Sequence, residues 1–180
     1  MVQYPLIPDS NPLQTAKLFC KIIKNIRAKS ITLMGDSAGA NLSAIILYCL
    51  HKEKINIIKK VILFSPFVNK DIDYAERLLI SDYDFILSYE NCLHLINYVY
   101  KDYFIELKNV FPSSNDYLYN CKFIIFSGEK ELFTPDIRNW AKNANNLTVK
   151  HYIYKDMCHC FSILPIKQAK DCIKKIKKII

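Results

Sequence analysis

The residue of this chain best suited to chemistry is Ser37, which lies between two of only three glycines. Residues 35–39 read Gly-Asp-Ser-Ala-Gly, a Gly-x-Ser-x-Gly pattern. A serine on a sharp turn between a strand and a helix can act as a nucleophile, because small flanking residues allow close backbone approach and leave the hydroxyl exposed. The amide of Ala38, at the start of the following helix, can donate to an oxyanion. The pattern predicts a nucleophile elbow around Ser37, whose other members are Gly35, Asp36 and Gly39.

The sequence on either side of Ser37 has the pattern that such a turn requires. Residues 30–34 form a short, mostly apolar run that predicts a buried strand, and residues 40–50 predict a helix. The same five-residue pattern also occurs in turns whose serine only caps a helix. Because the pattern here lies at a junction between a strand and a helix, we favour the interpretation that Ser37 is a nucleophile.

The other predicted elements also alternate between strands and helices. Helices are predicted over residues 13–27, 40–50, 89–104 and 134–144 and from Pro165 onwards, and strands over residues 30–34, 61–64, 123–126 and 148–154. This alternation predicts a three-layer α/β fold, with a mostly parallel sheet covered by helices on both faces. In such a sheet, ligand-binding and catalytic residues lie beyond the carboxyl ends of the strands.

A serine nucleophile needs a base, and the chain offers four histidines. These are His51, His94, His151 and His159. His51 follows a predicted helix, on the side away from the carboxyl ends of the strands. His94 lies on a polar helix face, and His151 lies inside a strand. His159 alone lies in a loop after the last predicted strand, at the edge of the sheet where catalytic residues are expected. We therefore expect His159 to be the base, the alternative being a histidine of a surface loop.

Two carboxylates compete for the role of the acid that orients the base. Glu131 comes just after the strand at residues 123–126, at the sheet edge where the acid must contact the base. Asp136 lies in the first turn of a predicted helix, where carboxylates commonly pair with the helix dipole. We expect Glu131 to be the acid and keep Asp136 as the alternative.

Several segments resemble one family of enzymes. Residues 33–42, Leu-Met-Gly-Asp-Ser-Ala-Gly-Ala-Asn-Leu, resemble the nucleophile segment of the hormone-sensitive-lipase-like esterases, or α/β-hydrolase-3 group. Residues 2–8 are similar to the Tyr-x-Leu-x-Pro stretch that precedes this segment in the family. Residues 127–136 resemble the segment that carries the family's acid, and residues 157–161 resemble its histidine segment. The resemblance implies an α/β-hydrolase fold and a Ser-His-acid triad.

Within that group, the resemblance to the fungal steryl acetyl hydrolases is strongest. It lies in residues 34–37, 63–67 and 128–131. The resemblance implies hydrolysis of a short-acyl or acetyl ester, of a lipid or sterol, as a small-molecule substrate.

The chain departs from the family at its amino-terminal end. The family's His-Gly-Gly loop, which supplies the second oxyanion donor, is missing, and only three residues precede Tyr4. We expect residues 1–180 to be a single domain, the carboxy-terminal catalytic half of an amino-terminally truncated hydrolase whose gene continues upstream or whose product is degenerate. The alternative function is a catalytically impaired, hydrolase-like fragment that acts as a binding or structural protein.

Composition bears on partners and location. The net charge of +8 comes mostly from lysine, and the arginines Arg27, Arg77 and Arg138 form no cluster of the kind that reads nucleic-acid bases. We expect no nucleic-acid partner. With seven cysteines, no secretory signal and no apolar run of ~18 residues, we expect free thiols in a protein of the cytoplasm or of the cytoplasmic or endoplasmic-reticulum membrane surface.

Two further features have alternative interpretations. Cysteines flank His159, but no second Cys or His pair stands at zinc-site spacing, so we expect no metal and no cofactor. The lysine-rich residues 167–178 predict an amphipathic helix that packs on the sheet or, alternatively, contacts a membrane surface. Its predicted apolar face comprises Ile166, Ala169, Ile173 and Ile176. No feature of the sequence indicates an oligomeric state.

Overall fold

A computed structural model describes residues 3–6, 9–68, 77, 79–80, 83–100, 110–111, 121–144 and 148–180 of the chain. Within these residues the chain forms four strands and five α-helices in alternation. The helices are α1 (Pro12–Lys24), α2 (Ala38–Lys52), α3 (Tyr89–Tyr100), α4 (Thr134–Asn143) and α5 (Lys167–Ile179), and the strands are β1 (Ile31–Asp36), β2 (Ile58–Phe64), β3 (Lys122–Gly128) and β4 (Thr148–Tyr154). The predicted α/β class is confirmed. Val2, Ile7, Pro8 and Phe104, which the sequence analysis placed in predicted segments, lie outside the described residues.

Three of the four predicted strands are shorter than the observed ones, while the fourth, residues 148–154, has the observed bounds. The structure extends the second strand back to Ile58 and the third strand on to Gly128. Pairing with neighbouring strands supplies the backbone hydrogen bonds of these added residues, so strand structure continues past the apolar run that sequence patterning detects.

The four strands form one parallel sheet in the order β1-β2-β3-β4. Ile62 in β2 pairs with Met34 in β1 and with Ile124 in β3. Because all strands run in one direction, their carboxyl ends meet at a single edge, which we call the carboxyl edge. Ser37 follows β1 at this edge, and Ser65 follows β2.

Both faces of the sheet are covered, as a three-layer fold requires. Val61, Leu63 and Ile125 belong to a core cluster that includes residues of α1, α2 and α4. Alternate residues of the same strands, Ile62 and Ile124, belong to a second cluster with α5. Side chains alternate across a strand, so adjacent residues fill opposite layers.

Helix α1 begins where Asn11 and Pro12 predict it. The Asn11 side chain accepts a hydrogen bond from the amide of Gln14, and the Gln14 side chain accepts one from the Asn11 amide. This capping box satisfies donors that a helix start otherwise leaves unpaired. Pro12 occupies the first turn, where its missing N–H costs no hydrogen bond.

The last helix packs on the sheet, but not entirely through the predicted residues. Ala169 and Ile176 are buried as predicted, whereas Ile173 is 51% exposed. Cys172 is buried in its place, within the cluster formed with β2 and β3. The inward-facing stripe is thus one residue earlier than predicted at this turn, because a small thiol at position 172 fits against the sheet.

Candidate active site

Ser37 occupies a turn with an unusual backbone conformation. It lies between the last residue of β1 and the first of α2, with φ 47° and ψ −116°. Its amide donates a 2.9 Å hydrogen bond to the carbonyl of Phe64, which ends β2. A non-glycine residue at positive φ costs on the order of 1–3 kcal/mol and persists only where surrounding structure imposes it. Pairing with β2 and the start of α2 impose it here.

The two glycines that flank Ser37 differ in what they require. A Cβ atom at Gly35 would lie 2.2 Å from the carbonyl oxygen of Gly39, so only glycine fits there. At Gly39 the nearest atom to an added Cβ is the Tyr4 hydroxyl at 3.9 Å, an ordinary contact. Close backbone approach therefore explains Gly35 but not Gly39 within the described residues.

The structure brings His159 to Ser37. The Nε2 atom of His159 lies 2.9 Å from Oγ of Ser37, although the two residues are 122 positions apart. His159 is 4% exposed and lies after β4, in the loop that leads to a short 3-10 helix, Phe161–Ile163. The ring of Phe133 packs edge-on against the imidazole with centroids 5.4 Å apart. A histidine held at this distance can take the serine's proton.

The environment of His159 favours its neutral form. Burial lowers the pKa of the imidazole below its ordinary value, while the negative charges of Asp84 and Asp36 act in the opposite direction. The neutral ring is the form that accepts a proton. His159 therefore has the protonation state of a base at neutral pH.

Glu131 lies at the same edge and is completely buried. Its Oε2 accepts hydrogen bonds from the Ser65 hydroxyl at 2.6 Å and from the Gly128 amide at 3.1 Å. Burial raises the pKa of this carboxyl to about 8, and the two hydrogen bonds oppose the shift. A Cβ atom at Gly128 would lie 2.2 Å from the carbonyl oxygen of Met157. Glycine therefore permits the loop after β3 that carries Glu131, which we call the acid loop, to approach the loop after β4 that carries His159, the histidine loop.

Glu131 and His159 are connected indirectly. Among the described residues, Oε1 of Glu131 and Nδ1 of His159 are buried without hydrogen-bond partners. Ser65 connects their loops, since its hydroxyl donates to Glu131 and accepts the amide of Cys160 at 3.1 Å. Ser65 itself has φ 47° and is 1% exposed.

Asp136 lies in the first turn of α4, where the sequence predicts it. Its Oδ2 is 2.5 Å from Nη2 of Arg77, whose side chain is 1% exposed. Nη1 of Arg77 donates a 2.6 Å hydrogen bond to the carbonyl of Leu132. Asp136 thus neutralises a buried guanidinium beside the acid loop.

Three polar residues that organise this edge were not predicted from the sequence. They are Asn41, Ser65 and Asp84. The Asn41 amide exchanges two hydrogen bonds with the backbone of Phe67, at 2.6 and 2.8 Å, and so ties α2 to the segment after β2. A signal existed for Ser65, because it directly follows a strand at the edge where Ser37 also lies. No pattern of the sequence singles out Asp84.

The other histidine near the sheet has a different set of contacts. Nε2 of His151 in β4 lies 2.7 Å from the Ser127 hydroxyl, which also accepts a 2.8 Å hydrogen bond from Thr134. Burial lowers the pKa of His151 to about 4. Within the described part of the chain, no group of three or more His, Cys, Asp or Glu side chains is placed to hold a metal ion. All seven cysteines are buried thiols that form no disulfide.

The parallel sheet and the Ser37–His159 contact at its carboxyl edge together define an α/β-hydrolase fold. A family model described as steryl acetyl hydrolase matches residues 3–179. The chain belongs to the steryl acetyl hydrolase family. A comparison with curated proteins finds no match.

Solved structures of esterases share the fold. A hormone-sensitive lipase from a metagenome library matches with TM-score 0.81 and 20% identity over 97% of this chain and 62% of its own. An esterase of the bacterial hormone-sensitive lipase family gives TM-score 0.82, 19% identity, and 98% and 63% coverage. A Pyrobaculum calidifontis esterase gives TM-score 0.78, 16% identity, and 97% and 63% coverage. The chain thus spans less than two thirds of these structures, and at such identities the likeness concerns the fold.

In the described ranges, no helix is both long and apolar enough to cross a bilayer.

Proposed function

We propose that this chain, as a single α/β-hydrolase domain, is the catalytic part of a carboxylic ester hydrolase. Ser37 is its nucleophile, His159 its base and Glu131 its acid. The observation that best supports the proposal is the 2.9 Å contact between Ser37 Oγ and His159 Nε2, at a strained turn on the carboxyl edge. Strain at a turn that presents a serine is typical of a nucleophile elbow.

The reaction follows from these positions. Ser37 Oγ attacks the ester carbonyl carbon while Nε2 of His159 takes the hydroxyl proton. The amide of Ala38, the first residue of α2, donates to the resulting oxyanion, since the first amides of a helix lack partners within it. His159 passes the proton to the leaving alcohol, and water then releases the acyl group from Ser37 by the same path.

Glu131 is favoured over Asp136 as the acid. Oε1 of Glu131 and Nδ1 of His159 are both buried and unpartnered among the described residues, and they belong to loops connected through Ser65. Catalytic hydrogen bonds are often long in unliganded enzymes and tighten during reaction. Although burial raises the pKa of Glu131, the positive charge that forms on His159 favours the ionised carboxylate.

The substrate that we propose is a short-acyl or acetyl ester of a lipid or sterol. The family description supports this choice. Helix α5 buries Cys172 and Ile176 and carries Lys177 and Lys178 in its last turn. We propose that this basic end contacts a membrane surface that presents such an ester.

A fluorophosphonate probe tests the nucleophile directly. The probe phosphonylates an activated serine, so we expect one label per chain, located at Ser37 by peptide mass spectrometry. Ser37→Ala should abolish labelling, whereas Ser30→Ala, at an exposed position outside the site, should leave it unchanged. Equal labelling of wild type and Ser37→Ala would overturn the proposal.

A further inference from the structure

Asp84 is a buried carboxylate that has no role in the proposed reaction described above. It is 3% exposed and lies ahead of α3. Its Oδ1 accepts hydrogen bonds from the amides of Ile86 and Leu87, both at 3.3 Å, which fold the local turn around the carboxylate. These two bonds are of the kind that any Asp makes in a turn.

Two further bonds of Asp84 reach distant parts of the chain. Oδ2 accepts the amide of Leu132 at 3.1 Å, and Oδ1 accepts the amide of His159 at 3.3 Å. Leu132 directly follows Glu131, and His159 is the proposed base. One side chain therefore joins the backbone of the acid loop to the backbone of the histidine loop.

The acid loop is held from both sides at this point. The carbonyl of Leu132 accepts the 2.6 Å hydrogen bond from Arg77, while the Leu132 amide donates to Asp84. Both polar groups of one residue thus bond to charged side chains that are themselves buried. Such bonds are shielded from water, and they fix a backbone more firmly than exposed ones.

The carboxylate also bears on the charge of the base. The ionisable groups that interact with Asp84 are the imidazole of His159, the carboxyl of Glu131 and the thiols Cys92, Cys158 and Cys160. Arg77, which pairs with Asp136, acts on the same Cys92 thiol as Asp84 does, in the opposite direction. A negative charge at Asp84 favours the protonated form of His159.

We propose that Asp84 is a positioning residue of the active site. It holds the loops of Glu131 and His159 together, so that His159 stays against Ser37, and it stabilises the imidazolium that forms when Ser37 attacks. The inference rests on the proposed esterase function and adds a residue to it.

Asp84→Asn is the informative variant. Asparagine keeps the size of the side chain but removes its charge and replaces one acceptor oxygen with a donor, so that one of the two loop contacts must break. We expect the rate constant of fluorophosphonate labelling to fall about tenfold or more, since small displacements of catalytic groups have large effects. The labelling rate falls on acidification as His159 becomes protonated, and we call this fall the acid limb of the pH profile. In Asp84→Asn the acid limb should move to lower pH, because the charge that favours protonated His159 is gone.

Thr15→Ala is the control for a merely structural effect. Thr15, in α1, is also a buried polar residue, at 3% exposure. Its hydroxyl lies 2.9 Å from the hydroxyl of Ser10, which precedes α1. This variant should lose stability without moving the acid limb. If wild type is labelled and Asp84→Asn has the same labelling rate and the same acid limb, the Asp84 proposal is wrong while the proposed esterase function is unaffected. If wild type is not labelled, both proposals are wrong.

Hydrogen exchange on the unmodified protein covers the case in which Asp84→Asn does not fold. The amides of Leu132 and His159 should exchange slowly, because both donate to a buried carboxylate. Exchange as fast as that of the exposed loop residues 25–30 would overturn the proposal.

Discussion

The hydroxyl of Ser65 donates a 2.6 Å hydrogen bond to Oε2 of Glu131. Sixty-six positions separate the two residues, which meet because β2 and β3 are neighbours in the sheet. The same hydroxyl accepts the amide of Cys160, the residue after the proposed base. Ser65 thus connects the acid to the histidine loop at a point different from the Asp84 contacts.

Ser65→Ala should slow the reaction of Ser37. The change leaves the Cys160 amide without its acceptor and Glu131 with one donor fewer. A lost partner for a buried polar group costs roughly 1–3 kcal/mol, and we expect a lower melting temperature and about tenfold slower fluorophosphonate labelling. Ser43→Ala is the control, because buried Ser43 donates to the Gly39 carbonyl of its own helix. Labelling of Ser65→Ala at the wild-type rate would contradict the prediction.

Glu131→Gln and Asp136→Asn should have different effects. Glu131→Gln removes the charge that stabilises the imidazolium and should slow ester turnover or labelling by a factor on the order of 10²–10⁴. Asp136→Asn leaves Arg77 buried without its anionic partner, so it should lower the free energy of unfolding by about 3–5 kcal/mol. Rates and denaturant unfolding curves measure the two effects. A slower reaction in folded Asp136→Asn than in Glu131→Gln would move the acid to Asp136.

The stability of the protein should depend on pH through Glu131. Its pKa in the folded state is raised from 4.5 to about 8, so the folded state binds this proton more tightly than the unfolded state does. Stability from this group is fully present below pH 4.5 and is lost as pH rises to about 8. Glu131→Gln does not titrate, and its melting temperature should rise relative to wild type across this window. A constant difference between pH 4.5 and 8 would show that the carboxyl is not shifted.

Labelling of Ser37 should depend on pH through His159. Burial lowers the pKa of the imidazole from its ordinary value of 6.5, so His159 stays neutral to a lower pH than a free histidine. The labelling rate should fall on acidification with a midpoint below 6.5, because only the neutral ring accepts the Ser37 proton. Rates measured from pH 4.5 to 8 provide the midpoint. A midpoint above 6.5 would mean that nearby carboxylates outweigh burial.

Alanine at the two elbow glycines should have opposite effects on stability. At Gly35 the new Cβ would lie 2.2 Å from a backbone carbonyl, and we expect a loss of more than about 3 kcal/mol in the free energy of unfolding. At Gly39, inside α2, the nearest atom is 3.9 Å away, so Ala should stabilise the helix by up to about 1 kcal/mol. Chemical denaturation measures both. Equal destabilisation would contradict the assignment of the close contact to Gly35.

Local pattern in the sequence was sufficient for the parts of the molecule that local forces decide. Glycine spacing between an apolar run and a helical run predicts the turn at Ser37, and Asn11 with Pro12 predicts the start of α1. Alternation of strands and helices predicts the parallel sheet. His159 stands out because it follows the last strand in chain order. Each inference depends on short runs of residues and on their order along the chain.

Only the tertiary structure shows how the carboxyl edge is connected. Ser65 and Asp84 each join segments more than 25 positions apart. The bonds of Asp84 to Leu132 and His159 and that of Ser65 to Cys160 involve backbone amides, which have no sequence signature. The buried pairing of Asp136 with Arg77 was likewise not predicted, since the two residues are far apart in the sequence and meet only in the folded chain. Burial also sets the pKa directions of Glu131 and His159, because desolvation is a property of the surroundings rather than of the residue.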